Sequence, residues 1–418
     1  MEIEDIEVWM ERNGGEEMRI KPESKVEVFL TALKLGLTSF GGPVAHIGYF
    51  RDEYVNRRKW ISESSFADLV ALCQFLPGPA SSQLGMAIGI RRAGLGGALA
   101  AWLGFTLPSA LVMILFALWV GAADLSSAGW LQGLKLVAVA VVAQAVWSMA
   151  VTLAPDRIRA TMALFAAGWA SLMPGPAGQL LPLLLCGAAA VLWLKPTAAA
   201  ARAADDREHG LPFGRRLAAA ALAVFAILLI VLPIAAKLMP SSPAVSIMDS
   251  SYRAGSLVFG GGHVVLPMLE KEVVHGGEHG ISADRFMAGY GAAQAVPGPL
   301  FTFAAYIGAS IGEGWHGIML AAAALLAIFL PSFLLLVGAL PFWQGLQHNQ
   351  KARLALMGVN AAVVGILLAA LYNPVWTSTV HTAHDFTIVL VAFLMLQIWK
   401  CQPWQVVLIA AAAGFIIL

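Results

Sequence analysis

Residues 66–90 read FADLVALCQFLPGPASSQLGMAIGI. The run is apolar enough for lipid, yet Pro77-Gly78-Pro79 interrupts it in the middle. Proline pushes the residue before it out of helical angles and removes a backbone donor. The two pieces, 66–76 and 80–90, hold 11 residues each. At 1.5 Å per residue each is about 16 Å long, half of a ~30 Å hydrocarbon core. Two half-helices meeting at mid-depth fit these lengths better than a kinked span. The second piece opens with Ala80-Ser81-Ser82-Gln83, so the unpaired amides of Ser81, Ser82 and Gln83 are predicted to point inward beside two hydroxyls. A helix start carries about half a positive charge and spare donors, which suits an anion.

The rest of the chain supports a lipid setting. Of 418 residues 59% are hydrophobic and 12% charged, and the mean hydropathy is +0.75. A soluble domain carries about twice that charge. The apolar runs are long and rich in Ala, Leu and Gly, which predicts helices rather than the short alternating strands of a barrel. Apolar segments fall near 26–50, 65–92, 98–121, 131–153, 158–173, 178–195, 215–237, 252–274, 285–312, 317–341, 354–371, 385–399 and 403–418. The expected class is an all-α polytopic membrane protein. Residues 1–25 are acidic and lack the basic start and apolar core of a cleavable signal, so they read as a cytoplasmic tail. Residues 196–214 form a polar linker between a first repeat, 26–195, and a region 215–418 that holds an extra helix and a second repeat.

The duplication is explicit. Phe40-Gly41-Gly42 matches Phe259-Gly260-Gly261, Gly36 matches Gly255, and Glu53 matches Glu272. Phe66, Gln74 and Pro77-Gly78-Pro79 match Phe286, Gln294 and Pro297-Gly298-Pro299 at the same spacing, and LPS recurs at 107–109 and 330–332. An odd number of crossings separates equivalent segments whether both kinds of broken segment span or both turn back, so inverted-topology repeats are expected. The loop holding Arg51, Arg57, Arg58 and Lys59 joins the other basic loops on one side only if the broken segments turn back, which favours re-entrant hairpins. Paired discontinuous helices are the sequence mark of a transporter's midplane site.

Several residues are candidates for that site. Pro43 suits the first turn of a helix after the Gly41-Gly42 break. Lys34 and Arg253 are equivalents, each six residues before its Phe-Gly-Gly. Charge inside a membrane marks function unless it snorkels, so the two cations either clamp a doubly charged anion or reach for the interface. Glu53 and Glu272 read as proton carriers or as loop carboxylates paired with Arg51 or Lys271. His46 and His263 titrate near neutrality when unperturbed or bond backbone, and Gln74 and Gln294 cap the breaks or line a cavity. His275, His279, His381 and His384 have ligand-like spacing but no converging set, so no metal is expected. No catalytic signature, basic nucleic-acid-binding run or cofactor motif is present.

Four stretches carry a family likeness: SFGGPVAHIGYF, QFLPGPASSQLGMAIG, VFGGGHVVLP and QAVPGPLFTFAAYIGA. Together they resemble the chromate transporter family, in its long two-domain form, over about residues 26–418. The resemblance implies chromate efflux across the bacterial inner membrane, with protons as a candidate driving ion and sulfate as a related anion; a homodimer is a candidate assembly. Its motif residues fall on Phe40, Gly41, Gly42, Pro43, His46, Pro77, Gly78, Pro79 and Gln83. The second copy departs, with Gly262 in place of the proline and LFTF in place of ASSQ, leaving Thr302 as its main side-chain donor. Carriage of another anion, a channel that conducts without coupling and an enzyme acting on a lipid phosphate are the alternatives.

Overall fold

In the computed structural model the described residues are 24–122, 129–173, 176–194, 214–259, 262–274, 280–343 and 349–417. The acidic tail and most of the polar linker fall outside them. Within them the chain is helical, and no strand occurs. Five helices are long and apolar enough to cross a membrane: Ala80–Gly121, Gly129–Leu153, Arg215–Leu238, Gly314–Phe342 and Gln350–Trp376. The protein is an all-α membrane protein.

Each expected broken segment is two helices. The first becomes α1 (Lys25–Thr38) and α2 (Gly42–Phe50), which runs on as a wider turn over Arg51–Arg57. Gly41, at φ 96°, is the residue before α2, and Pro43 lies in its first turn. The second becomes α3 (Glu63–Phe75) and the short limb of α4 (Ala80–Ala122), whose backbone leaves helical angles at Ala93 and Gly94 before the long limb 95–122. The second half follows suit with α9 (Pro243–Leu257) and α10 (Val265–Val273), then α11 (Ala283–Ala293) and α12 (Phe303–Ile311). Helix α9 starts nine residues before the apolar segment expected from 252. Ser242 caps it, and its polar Asp249, Ser250 and Ser251 are buried against protein rather than exposed to lipid. Hydropathy alone does not register such a start.

Contacts across each break show that the chain turns back. Lys34 Nζ lies 2.7 Å from Glu53, and Arg58 Nη1 lies 3.0 Å from Glu27, so α2 returns along α1. The Arg92 guanidinium sits 4.7 Å above the Trp60 ring, which brings the end of the α4 short limb back to the start of α3. In the second half Arg253 binds Glu272 at 2.8 Å, and the Tyr306 hydroxyl donates to the Arg285 carbonyl at 2.8 Å. All four broken segments are hairpins, with helical limbs between the 9 residues of α2 and the 15 of α9.

The remaining helices are α5 (Gly129–Leu153), α6 (Arg157–Leu172), α7 (Pro176–Trp193), α8 (Arg215–Leu238), α13 (Gly314–Ala339), α14 (Gln350–Ala370), α15 (Ala383–Gln397) and α16 (Pro403–Ile417). Small residues set their spacing, as membrane helix packing requires. A Cβ on Gly36 would stand 2.6 Å from the Phe105 carbonyl oxygen, so α1 and the long limb of α4 touch backbone to backbone. Gly255 meets the Ile328 carbonyl in the same way, on α9 and α13. Two contacts locate the hairpin mouths. Lys25 covers Gly96 at the start of the α4 long limb. Lys135, near the start of α5, binds Asp284 at the start of α11 at 2.8 Å.

Candidate functional site

The hairpin tips of the two halves cross. Gly78 N donates to the Val258 carbonyl at 2.7 Å, and Gly298 N donates to the Ser39 carbonyl at 2.9 Å. Ser39 and Val258 each stand immediately before a Phe-Gly-Gly. Each Pro-Gly-Pro tip is therefore bonded to the Phe-Gly-Gly tip of the other half. The glycines are obligatory there. Gly78 has φ 114° and Gly298 φ 102°, angles that L side chains resist. A Cβ on Gly78 would strike the Ser332 hydroxyl, and one on Gly298 would lie 2.9 Å from the Ser109 hydroxyl. Those serines belong to the repeated LPS triplets, whose function the sequence left unread.

The first half offers donors as expected, with one change. The amides of Ala80, Ser81 and Ser82 precede the first turn's bonds, whereas Gln83 N is already taken by the Pro79 carbonyl at 2.9 Å. The Gln83 side chain donates to the Pro77 carbonyl at 2.8 Å and so braces the break. His46 is buried, its Nδ1 lies 3.2 Å from Ser81 Oγ, and its ring meets Phe105 edge-on at 5.4 Å. Among the described residues, Ser39 Oγ, Ser82 Oγ, Gln83 Oε1, Thr106 Oγ1 and Ser332 Oγ are buried without a hydrogen-bond partner. An unsatisfied buried polar group costs about 1–3 kcal/mol, so these groups on and beside the crossed tips are open to a water, an ion or another polar partner.

The second half is more closed. Thr302, its expected main side-chain donor, has its hydroxyl donating to the Pro299 carbonyl at 2.8 Å, and its amide bonds the same oxygen at 3.0 Å. A tight 3-10 turn over Leu300–Thr302 stands in place of the open first turn of α4. His263 Nδ1 lies 2.9 Å from the Tyr290 hydroxyl. Gln294 caps α11 and is half-buried, Gln74 is exposed, and Phe259 is half-buried. Gly260 and Gly261 lie outside the described residues, as do His275 and His279. Phe40 packs its ring 6.2 Å from Trp404 on α16. No group of three or more metal-ligating side chains gathers among the described residues.

The four charged candidates are joined into equivalent pairs. Glu53, nearly fully buried, accepts from Lys34 at 2.7 Å and Arg58 at 2.8 Å, and Arg57 lies at 3.4 Å. Arg51, expected as its partner, instead binds Glu63 at 2.7 Å. Arg253 is gripped by both Glu272, at 2.8 Å, and Asp249, at 2.7 Å; the Lys271 side chain lies outside the described residues. The two equivalent cations thus spend their charge on the hairpins' own carboxylates, not on an open cavity.

An all-α membrane protein whose four hairpins meet at their tips has the discontinuous helices found in membrane transport proteins. The chain belongs to the chromate transporter family, whose model matches it in two stretches, residues 26–241 and 245–415. It is 30% identical to a chromate transport protein of Pseudomonas aeruginosa, over 95% of this chain and 93% of that one. An uncharacterized transporter of Methanocaldococcus jannaschii is 26% identical over 94% and 95% of the two chains. A chromate transport protein of Cupriavidus metallidurans is 25% identical over 92% and 91%. No solved structure matches the chain.

Proposed function

We propose that the protein is a secondary transporter that exports chromate from the bacterial cytoplasm across the inner membrane, coupled to protons, with its two halves in inverted orientation. The observation that carries the reading is the crossed pair of bonds, Gly78 to Val258 and Gly298 to Ser39. It brings four chain breaks to one place, where the Ser81 and Ser82 amides and the spare hydroxyls of Ser39, Ser82, Thr106 and Ser332 can surround a tetrahedral oxyanion. Backbone donors and hydroxyls select for a compact anion without fixing a charge permanently in the site, so release stays cheap.

Several contacts support the inversion. The first half's hairpin mouths lie with Lys25 at the start of the α4 long limb, and the second half's lie with Asp284 beside the start of α5. The α4 long limb separates those two ends. Arg57, Arg58, Arg91, Arg92, Arg157 and Arg159 then collect at the first end, which the positive-inside bias makes cytoplasmic. Domain assignment follows the duplication, with 26–195 and 215–418 as the two working parts. Rocking of one half against the other about the crossed tips would expose the anion to each side in turn. Of the five long apolar helices, α8 has the smallest share of its apolar stretch buried by protein; its outer face is available to lipid or to a second copy.

The experiment is chromate flux in liposomes holding the purified protein, with imposed pH gradients of each sign. Flux that follows the gradient and is competed by sulfate but not by chloride supports the reading. Flux through the wild type that ignores both gradients, at channel-like rates, would overturn it.

A further inference from the structure

Away from the crossed tips, a cavity of about 160 Å³ opens among four helices, lined by Ser171, Gln179, Pro267, Glu270, Tyr372 and Asn373. Glu270 is only 4% exposed, and it is the acidic group of this cavity. It stands on α10, the returning limb of the third hairpin, two residues before the Glu272 that binds Arg253. The equivalent position in the first half is Arg51, an exposed residue bound to Glu63. The carboxylate therefore has no counterpart in the duplication and lies outside the shared anion site.

Its position in the fold is informative. Ser171 ends α6, Gln179 begins α7 and Tyr372 follows α14. The Gln132 side chain, at the start of α5, donates to the Thr379 carbonyl at 2.9 Å and ties this end to the mouth marked by Lys135 and Asp284. Under the inverted arrangement proposed above, that is the end away from the arginine-rich side. A cavity of this size has room for a few waters, each needing about 30 Å³, between the outer surface and the carboxylate.

From this placement we infer that Glu270 is the proton-carrying group of the transport cycle, loaded through the Ser171–Gln179–Asn373 cavity from the extracytoplasmic side. The step is a simple acid–base exchange: a carboxylate oxygen of Glu270 takes a proton from cavity water and later returns it to water on the cytoplasmic side. The hairpin supplies the link to the anion. Gln179 donates to the Pro267 carbonyl at 3.2 Å, fixing α10 to α7, and α10 leads back to the tip whose Val258 carbonyl holds Gly78. The ionised carboxylate is the more strongly hydrated form, and protonation weakens its hold on the cavity water, so a proton bound at Glu270 changes how α10 sits against α6, α7 and α14. Among the described residues the other titratable side chain lining the cavity is Tyr372. Close by in sequence or space, Arg253 is engaged by Asp249 and Glu272, His263 by Tyr290 and Asp284 by Lys135. Arg285 begins α11, and Lys351 and Arg353 begin α14, at its opposite end. Among the described residues, α6 and α7 present Ala170, Ser171 and Gln179 to the cavity.

The inference rests on the transport reading, and the test separates them. Chromate–chromate counterflow across liposomes needs the anion site but no net proton movement. In Glu270→Gln, pH-driven chromate flux should fall about 5- to 150-fold, the span of a coupling free energy, while counterflow stays within about twofold. The chromate-dependent signal of a trapped pH dye should vanish with it. Glu270→Asp should keep coupled flux with a displaced pH profile. Absent counterflow in the wild type would overturn the transport reading itself, and this inference with it. Normal counterflow with undiminished pH-driven flux in Glu270→Gln would overturn only the Glu270 assignment. So would loss of counterflow in both Glu270 variants, which would make the residue structural.

Discussion

Gly78 and Val258, 180 positions apart in the chain, share a backbone hydrogen bond of 2.7 Å, and its mate joins Gly298 to Ser39 at 2.9 Å. A pair of reciprocal bonds between duplicated breaks fixes how the two halves meet. It also explains why a glycine sits between two prolines in each tip: the prolines cannot donate, so the single amide available must reach across. Gly78→Ala forces an L side chain into a left-handed angle, at about 1–2 kcal/mol, and drives its Cβ into Ser332. Chromate flux in proteoliposomes should be almost abolished. The double variant Gly78→Ala, Ser332→Gly removes the collision but not the angle, so it should recover part of the flux. Full activity in the single variant would show that the crossing is not needed.

The ion pairs make a graded prediction about stability. Glu53 has a side chain 6% exposed and serves Lys34, Arg57 and Arg58, whereas the Lys34 side chain is 45% exposed. Arg253, at 25%, holds both Asp249 and Glu272. Removing one member of a buried pair strands the other, at about 3–5 kcal/mol, while exposed pairs are worth up to about 1 kcal/mol. Thermal unfolding in detergent should therefore rank the damage as Arg253→Met and Glu53→Gln well above Lys34→Met. A direct anion clamp predicts the opposite signature for Lys34→Met and Arg253→Met, a raised apparent KM with unchanged melting.

Much of this was open to inspection in the sequence. The breaks at Pro77-Gly78-Pro79 and Phe40-Gly41-Gly42 are local: proline and glycine state their own backbone angles, and half-membrane lengths follow from counting. The equal spacing of Lys34 to Glu53 and Arg253 to Glu272 was visible too, but not that each spacing closes an ion pair, because that depends on the hairpin's return. The crossing of tips, the work of Ser109 and Ser332, and the Glu270 cavity join elements far apart in the chain, and no periodicity encodes such registers. Helix α9 begins before its apolar stretch because Asp249, Ser250 and Ser251 are polar yet buried by surrounding protein, which hydropathy does not register.

Asp156 gives a pH prediction at a loop. It caps α6, accepting from Arg159 N at 2.9 Å and from the Arg159 side chain at 2.6 Å. The backbone bond from Arg159 is the main reason its carboxyl titrates below the usual range, and the guanidinium adds to it. A depressed folded value means the stabilisation is complete above the ordinary carboxylate range and is lost as pH falls through the folded value. Asp156→Ala should lower stability at pH 7 by about 0.5–2 kcal/mol, the usual worth of such a cap. On acidification the melting temperatures of wild type and variant should converge. A gap that stays constant down to strongly acid pH would show that the charge contributes nothing.

The two Pro-Gly-Pro sites should contribute unequally to anion binding, because their first turns are built differently. In the first half Ser82 keeps a buried hydroxyl without a partner beside the spare amides of Ser81 and Ser82. In the second half Thr302 has both its hydroxyl and its amide committed to the Pro299 carbonyl. A hydrogen bond to a charged group is worth about 1.5–3 kcal/mol. Ser82→Ala should therefore raise the apparent KM for chromate by roughly 10- to 100-fold while leaving the protein as stable as before. Thr302→Val deletes a bond inside the fold instead, so it should cost about 1 kcal/mol of stability and leave the apparent KM unchanged. Initial-rate chromate uptake paired with thermal melting reads both quantities in one preparation. Equal effects on KM from the two variants would mean that the halves share the anion evenly, and that the second turn opens during the cycle to release Thr302 from Pro299.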